Sequence, residues 1–359
     1  MKTLTLAMIV KNESRCLARC LSSAADLVDE IIVVDTGSTD NTKDIATSFG
    51  AKIFDFTWVN DFSKARNFAL NQSTSDWNLV LDADEYILND CGEAIRKFIE
   101  TQKAIGRVKL IDKFIQDGEE KLAQCYISRL IPKGIFYTGI IHEQVVSDFK
   151  RLNVAIELGH DGYISLNAKD DRNLKLLLLA LERSPNDTYM LYQTATQYYL
   201  SKHYEMADKY FEKCYKLIGK SELYKPSMVV KYLYNIINTE NFEKGLEIIH
   251  NERDALDNYP DYHFVCGYFY MELIYKDQKY ENFFPLIEKE YCKCLEIGDH
   301  SYYDGVIGTG SFYALYNLGV LHEVTSNLSK AKEYYRRASD FGYEKATERL
   351  RLLESQVIS

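Results

Sequence analysis

The tetrapeptide Asp82-Ala83-Asp84-Glu85 follows directly on the apolar run Trp77-Asn78-Leu79-Val80-Leu81. On an extended backbone, side chains two residues apart project to the same side. Asp82 and Asp84 at that spacing can hold a divalent cation with its waters, and the cation can in turn neutralise a diphosphate. Exposed acidic turns are common, so the triplet alone says little. Its place at the end of a buried strand makes it a candidate site.

Other polar groups also stand where an apolar run stops. Ile31-Ile32-Val33-Val34 leads into Asp35-Thr36-Gly37-Ser38-Thr39-Asp40, a carboxylate followed by a turn rich in N–H donors. Asp40 also suits the N-cap of the next helix. Asn12 and Glu13 end the first apolar run, and Asn12 or Ser14 could cap the helix after it. In Asn60-Asp61-Phe62-Ser63-Lys64-Ala65-Arg66-Asn67, Ser63 is expected to cap a helix, with Arg66 reaching back to phosphate or pairing an acidic site residue. His142 and Glu143 sit together in the turn-rich stretch 134–146.

Positioning these groups requires a sheet. Apolar runs predict strands over 4–10, 30–35, 51–56 and 77–81, and helical spacing predicts helices over 14–27, 41–49 and 63–71. Such alternation with short connections gives an α/β fold with a mostly parallel sheet and right-handed crossovers. Ligands then bind beyond the carboxyl ends of the strands, where Asp35 and Asp82 fall. Residues 107–115 and 122–131 read as two further strands completing this part, assigned to residues 1–167.

From about Ala168 the texture changes to helical periodicity, so residues 168–359 form a second, all-α part. Paired helices are expected over 189–214, 262–295 and 312–338. Pro185, Pro226 and Pro260 precede helix pairs, and the interval from Pro185 to Pro260 makes two units of about 37 residues, near the helix-turn-helix period of tetratricopeptide repeats. Asn317-Leu318-Gly319, Ala331, Tyr334-Tyr335 and Ala338 follow that repeat's alternation of small and large residues. Stacked pairs make a solenoid whose concave face binds peptides; a non-repeating bundle is the alternative. Of the 28 tyrosines most lie in this half, where they pack helix pairs and could line a groove.

The net charge of −10 argues against nucleic acid as a main partner, since phosphate backbones need a basic surface. No run approaches the ~18 apolar residues of a membrane span, and the start does not read as a signal peptide. The eight cysteines lack zinc-ligand spacing and disulfide-scaffold density, which suits reduced thiols in a cytoplasm.

Taken in order, Lys11-Asn12-Glu13-Ser14, Val34-Asp35-Thr36-Gly37-Ser38-Thr39-Asp40-Asn41-Thr42, Asn60 to Asn67 and Leu81-Asp82-Ala83-Asp84-Glu85 resemble family 2 glycosyltransferases of the GT-A fold, a Rossmann-like α/β architecture. Gly139-Ile140-Ile141-His142-Glu143 and Gly159-His160-Asp161-Gly162-Tyr163, followed by helical repeats, resemble a narrower subgroup in which the catalytic domain precedes tetratricopeptide-like repeats, the sublancin-type peptide S-glycosyltransferases among them.

The resemblance implies an inverting hexosyltransferase acting on a nucleotide-sugar donor, UDP-glucose or similar, with Mg²⁺ or Mn²⁺. It implies that Asp82 contacts the donor ribose or sugar, that Asp84 binds the cation, and that Asn12, Glu13 and Asp35 line the nucleoside pocket. Thr36 stands where many members carry a second Asp that reads uracil. Glu143 is the candidate general base and His142 the second choice, while a salt-bridging anchor role for Glu143 stays open. His160 is either a late metal ligand or a polar residue at the domain junction. The acceptor is expected to be a peptide or protein, through Cys, Ser or Thr, with the helical part as docking surface and as the contact for a homodimer. A polysaccharide or lipid-linked acceptor, and an inactive scaffold with a working repeat domain, are the alternatives.

Overall fold

The computed structural model describes residues 1–116, 118–160, 168–299 and 304–355. The chain divides into two compact units, Met1–Pro185 and Asn186–Ser359.

In the first unit the strands are β1 (Leu4–Val10), β2 (Glu30–Asp35), β3 (Lys52–Asp55), β4 (Trp77–Val80), β5 (Glu85–Ile87), β6 (Ile105–Gln116), β7 (Glu119–Pro132), the short β8 (Tyr137–Thr138) and β9 (Gln144–Val145), and β10 (Arg151–His160). The helices are α1 (Leu17–Ala24), α2 (Thr42–Ser48), α3 (Phe62–Gln72), α4 (Gly92–Thr101) and α5 (Ala168–Arg183). The main sheet runs β3-β2-β1-β4-β7-β6-β10-β5, and β8 pairs with β9 apart from it. The neighbours β3, β2, β1 and β4 are parallel, as are β6 and β10, while β7 and β5 run against their neighbours. The sheet is therefore mostly parallel and GT-A-like, as expected.

The core explains the pairing. Strands β1 and β2 read as continuous apolar runs because both faces are covered. Leu4, Leu6, Met8, Val33 and Leu79 pack with Leu17, Cys20 and Leu21 of α1 in one apolar cluster, whereas Ala7, Ile32, Val34 and Val80 join Ala69 and Leu70 of α3 in another. Register brings Val10 opposite Asp35 and Ala7 opposite Val80, so Asp35 and Asp82 emerge at one edge of the sheet.

Local details depart from the sequence reading. Helix α1 starts at Leu17, and neither Asn12 nor Ser14 caps it. Asp61 rather than Ser63 caps α3: its carboxylate accepts from Lys64 N, and the Ser63 hydroxyl donates to the same oxygen at 2.7 Å. Neither β5, which has three residues, nor β10, although Leu152, Val154, Ile156 and Leu158 alternate along it, is among the strands predicted from sequence. Helix α5 falls in the first unit, not after a boundary at 167; Arg172 lies over the Phe62 ring at 5.1 Å.

The second unit is helical: α6 (Thr188–Leu200), α7 (Tyr204–Leu217), α8 (Lys225–Thr239), α9 (Phe242–Glu252), α10 (Pro260–Lys276), α11 (Phe284–Ile297), α12 (Phe312–Val324), α13 (Leu328–Asp340) and α14 (Glu344–Ser355). Small residues sit where paired helices approach. A Cβ on Gly267 of α10 would lie 2.9 Å from the Tyr291 ring of α11, and one on Gly319 of α12 would lie 2.5 Å from the Tyr335 ring of α13. Ala195 and Phe211, with the same sixteen-residue spacing as Gly319 and Tyr335, are fully buried in α6 and α7. This recurrence is consistent with tetratricopeptide-like repeats. Among the described residues no helix is long and apolar enough to cross a membrane.

Candidate active site at the carboxyl ends of the strands

Asp82 lies just beyond β4, between two arginines. Its Oδ1 accepts from Arg66 Nη2 at 3.0 Å and its Oδ2 from Arg129 Nη2 at 2.7 Å. Burial would raise its carboxyl, but Arg66 and Arg129 hold it well below the usual carboxylate range, so Asp82 is an anion at neutral pH. Arg129 also pairs with Glu85, whose Oε2 accepts from Asp82 N at 3.0 Å. The Cys20 thiol of α1 donates to the Asp82 carbonyl at 3.5 Å. The acidic turn is thus fixed from beneath and from β7.

Arg66 extends the network. Its Nε donates to Glu143 Oε1 at 2.7 Å, placing the candidate base and Asp82 on one buried guanidinium. The loop carrying Glu143 is tied to α3 at two more places. The Asn67 amide exchanges two hydrogen bonds with the Tyr137 backbone, each 2.8 Å, and Phe62 N donates to the Ile140 carbonyl at 3.0 Å. His142, next to Glu143, has φ +47°, a left-handed conformation that is uncommon outside glycine and clusters at functional sites. Glu143 thus anchors its loop by an ion pair, on the same guanidinium that holds Asp82.

Asp84 faces His160. The His160 Nε2 lies 3.5 Å from Asp84 Oδ2, and its Nδ1 lies 2.7 Å from Asp112 Oδ1. Burial would lower the imidazole, but Asp112 and Asp84 together push it up to about 10. His160 ends β10 within the first unit, directly opposite Asp112 on β6 and Glu85 on β5. Of its motif, Asp161, Gly162 and Tyr163 lie outside the described residues.

Asn12, Glu13, Asp35 and Thr36 form a second group at the ends of β1 and β2. Asp35 Oδ1 closes the turn by accepting from Gly37 N and Ser38 N, both at 2.9 Å. Gly37 is needed there, with φ +106°. Asp35 Oδ2 is buried with no hydrogen-bond partner among the described residues. Asn12, at φ +57°, accepts from Thr39 N at 2.8 Å, and Glu13 N donates to the Thr42 hydroxyl at 2.8 Å. The Thr36 hydroxyl donates to the Val10 carbonyl at 3.0 Å, so it secures β1 to β2.

An Asp84 oxygen in the turn before β5 and a His160 nitrogen at the end of β10 suit Mg²⁺ or Mn²⁺, which accept carboxylate and imidazole ligands. Among the described residues no three His, Cys, Asp or Glu side chains gather as a closed cage. A cation held there would draw its other ligands from water and phosphate.

Sequence reasoning missed Arg129 and Asp112. Arg129 left a trace, a lone charge in Ile127-Ser128-Arg129-Leu130-Ile131, whereas Asp112 is masked by Lys109 and Lys113 in a strand of mixed charge. Aspartate is depleted from strands, so one there asks for a reason.

Comparison with known proteins finds similarity to glycosyltransferases. Residues 5–147 match the family described as Glycosyl transferase family 2. The chain is 47% identical to a TPR repeat-containing protein of Synechococcus elongatus over 105 residues, 29% of this chain and 26% of that one. It is 30% identical to the SPbeta prophage-derived glycosyltransferase SunS of Bacillus subtilis over 226 residues, 59% of this chain and 53% of that one. The chain thus spans about a quarter and about half of these two relatives. Among solved structures, glucosyl-3-phosphoglycerate synthase from Mycobacterium tuberculosis aligns over 31% of this chain and 44% of that one, at 23% identity and a TM-score of 0.26. Residues 5–147 of this chain are a glycosyl transferase family 2 domain.

Proposed function

We propose that the chain transfers a hexose from a nucleotide sugar to a peptide or protein side chain, with inversion at the anomeric carbon. The observation that carries this reading is the single buried guanidinium of Arg66, which joins Asp82 at the strand end to Glu143 on the neighbouring loop. A donor-side carboxylate and a candidate base thus lie side by side on one rigid group, both within reach of Nη2.

In this reading Asp35, with one oxygen spent on its own turn and the other buried and unpartnered, receives the nucleoside together with Asn12 and Glu13. Asp82 orients the sugar or ribose, its own position set by Arg66 and Arg129. Asp84 and His160 would hold Mg²⁺ or Mn²⁺, which when bound would neutralise charge on the diphosphate. Glu143 takes the acceptor's proton as the acceptor attacks, with His142 as the second candidate. UDP-glucose is the donor to try first.

A peptide acceptor is supported by the tetratricopeptide-like second unit, since such repeats present concave surfaces to peptides. A cytoplasmic setting belongs to the same reading; among the described residues, which include all eight cysteines, there is no disulfide.

The test is donor hydrolysis with a panel of nucleotide sugars and Mn²⁺, alongside thermal shift, because a ligand that binds the folded chain raises its melting point. Turnover of one donor, abolished by Asp84→Ala, is expected. No stabilisation and no turnover with any donor would leave the chain an inactive scaffold.

A further inference from the structure

Asp112 is assigned no role by the motif resemblance, yet it lies nearer the His160 ring than Asp84 does. Its Oδ1 lies 2.7 Å from Nδ1, while Nε2 on the far side of the ring faces Asp84. Sheet register, not a loop, sets this arrangement: Asp112 of β6 is the direct partner of His160 in β10. On the other edge of β10, His160 stands opposite Glu85. The ring is thus bracketed by two strands, and Asp84 belongs to the turn that leads into β5. All three side chains are largely buried, with 16–21% of each exposed.

Resting on the metal-site reading above, we propose that Asp112 is a positioning residue for the cation. By accepting from Nδ1–H it keeps the ring's remaining proton on that side, so that a cation displacing the Nε2 proton would find the freed lone pair facing Asp84. A ring nitrogen can bind a cation only if it carries no proton, and a carboxylate on the opposite nitrogen selects that form and raises its basicity. Asp112 itself cannot share the cation with Asp84, because it meets the ring from the other side. Tyr86 supports the same geometry. A Cβ on Gly159 would lie 2.6 Å from the Tyr86 ring, so the glycine lets β5 lie close against β10 at the residue before His160.

The test is Mn²⁺ binding to the full chain by calorimetry, with and without UDP, for wild type, Asp112→Ala, Asp112→Asn and Asp84→Ala. Asp112→Ala should weaken Mn²⁺ about 10- to 100-fold, the range usual for loss of such an outer partner. Asp112→Asn keeps an oxygen that can accept from Nδ1–H and should lose less, which also covers the case in which the alanine variant folds poorly. A second readout is ¹⁵N NMR of His160 with Mg²⁺ bound: Nδ1 should carry the proton in wild type, and the alanine variant should lose that preference. Wild-type Mn²⁺ affinity and an unchanged tautomer in both Asp112 variants, with binding lost in Asp84→Ala, would overturn the role of Asp112 alone. No Mn²⁺ binding by wild type would overturn the metal site and this role together.

Discussion

Arg66 holds Asp82 and Glu143 at once, through Nη2 at 3.0 Å and Nε at 2.7 Å. With 6% of its side chain exposed, it has no water to replace either partner. Lysine offers one point charge on a flexible stem and cannot bridge both carboxylates with fixed geometry. Arg66→Lys should therefore keep the fold yet lower kcat/KM for transfer by about 100-fold, because a displacement near 1 Å at a reacting group costs that much. Arg66→Ala leaves Glu143 buried without its cation, while Asp82 keeps Arg129, and should also cost about 3–5 kcal/mol of stability. Chemical denaturation and steady-state kinetics separate the effects; an unimpaired lysine variant would reduce Arg66 to a charge.

Glu143→Gln distinguishes an anchor from a base. Glutamine keeps an oxygen able to accept from Arg66 Nε, so the loop stays in place while the proton acceptor is lost. A thiol with pKa ~8.5 is already partly ionised near neutrality, whereas a hydroxyl needs the base. The variant should lose roughly 100-fold or more on Ser or Thr peptides and far less on Cys peptides. Equal losses on both would remove Glu143 from proton transfer and turn attention to His142.

What the sequence disclosed followed from how local each signal is. The strands ending at Asp35 and Asp82 are buried on both faces, so their apolar runs announce them, and the acids at their ends stand out by contrast. Asp82 with Arg66 was legible as an acid with a nearby cation. The partners supplied by β6 and β7 were not, because Asp112 and Arg129 meet the acidic turn only through pairings between distant strands; His160 of β10 was named through its motif alone. Asp35 shows the limit in a single residue. Its Oδ1 closes a turn any reader would expect, but only the fold reveals that Oδ2 is buried without a partner. The boundary at 167 missed because helical periodicity in α5 resembles that of the repeats, and periodicity does not tell which unit a helix packs in.

Glu30 gives a prediction about stability alone. It begins β2, at the end of the strand opposite Asp35, and its side chain is 8% exposed. Burial would raise its carboxyl, but Lys52, Thr74 and Thr5 bond the charged form and bring it down to about 2 from 4.5. Because the folded value is the lower one, the stabilisation is present above pH 4.5 and is lost as pH falls toward 2. Glu30→Gln should cost on the order of 2 kcal/mol at pH 7 and almost nothing near pH 2, with donor turnover unchanged. Urea titrations across that range check it; a constant difference would show that packing, not charge, is lost.

Gly319 tests the helix crossing in the second unit. Alanine is the better helix former by about 1 kcal/mol, so on propensity alone Gly319→Ala should stabilise α12. Its Cβ, however, would lie 2.5 Å from the ring of Tyr335, which is fully buried and whose hydroxyl donates to Glu323 at 2.8 Å. Overpacking of this kind costs about 1–3 kcal/mol, and the ring cannot swing aside without giving up that hydrogen bond. We expect a net loss of up to about 2 kcal/mol, the difference of these two terms. Pairing Gly319→Ala with Tyr335→Leu should recover part of the glycine variant's loss, since residues in contact couple. Urea denaturation of the four proteins measures that coupling. If the two changes simply add, Gly319 is not there to admit Tyr335.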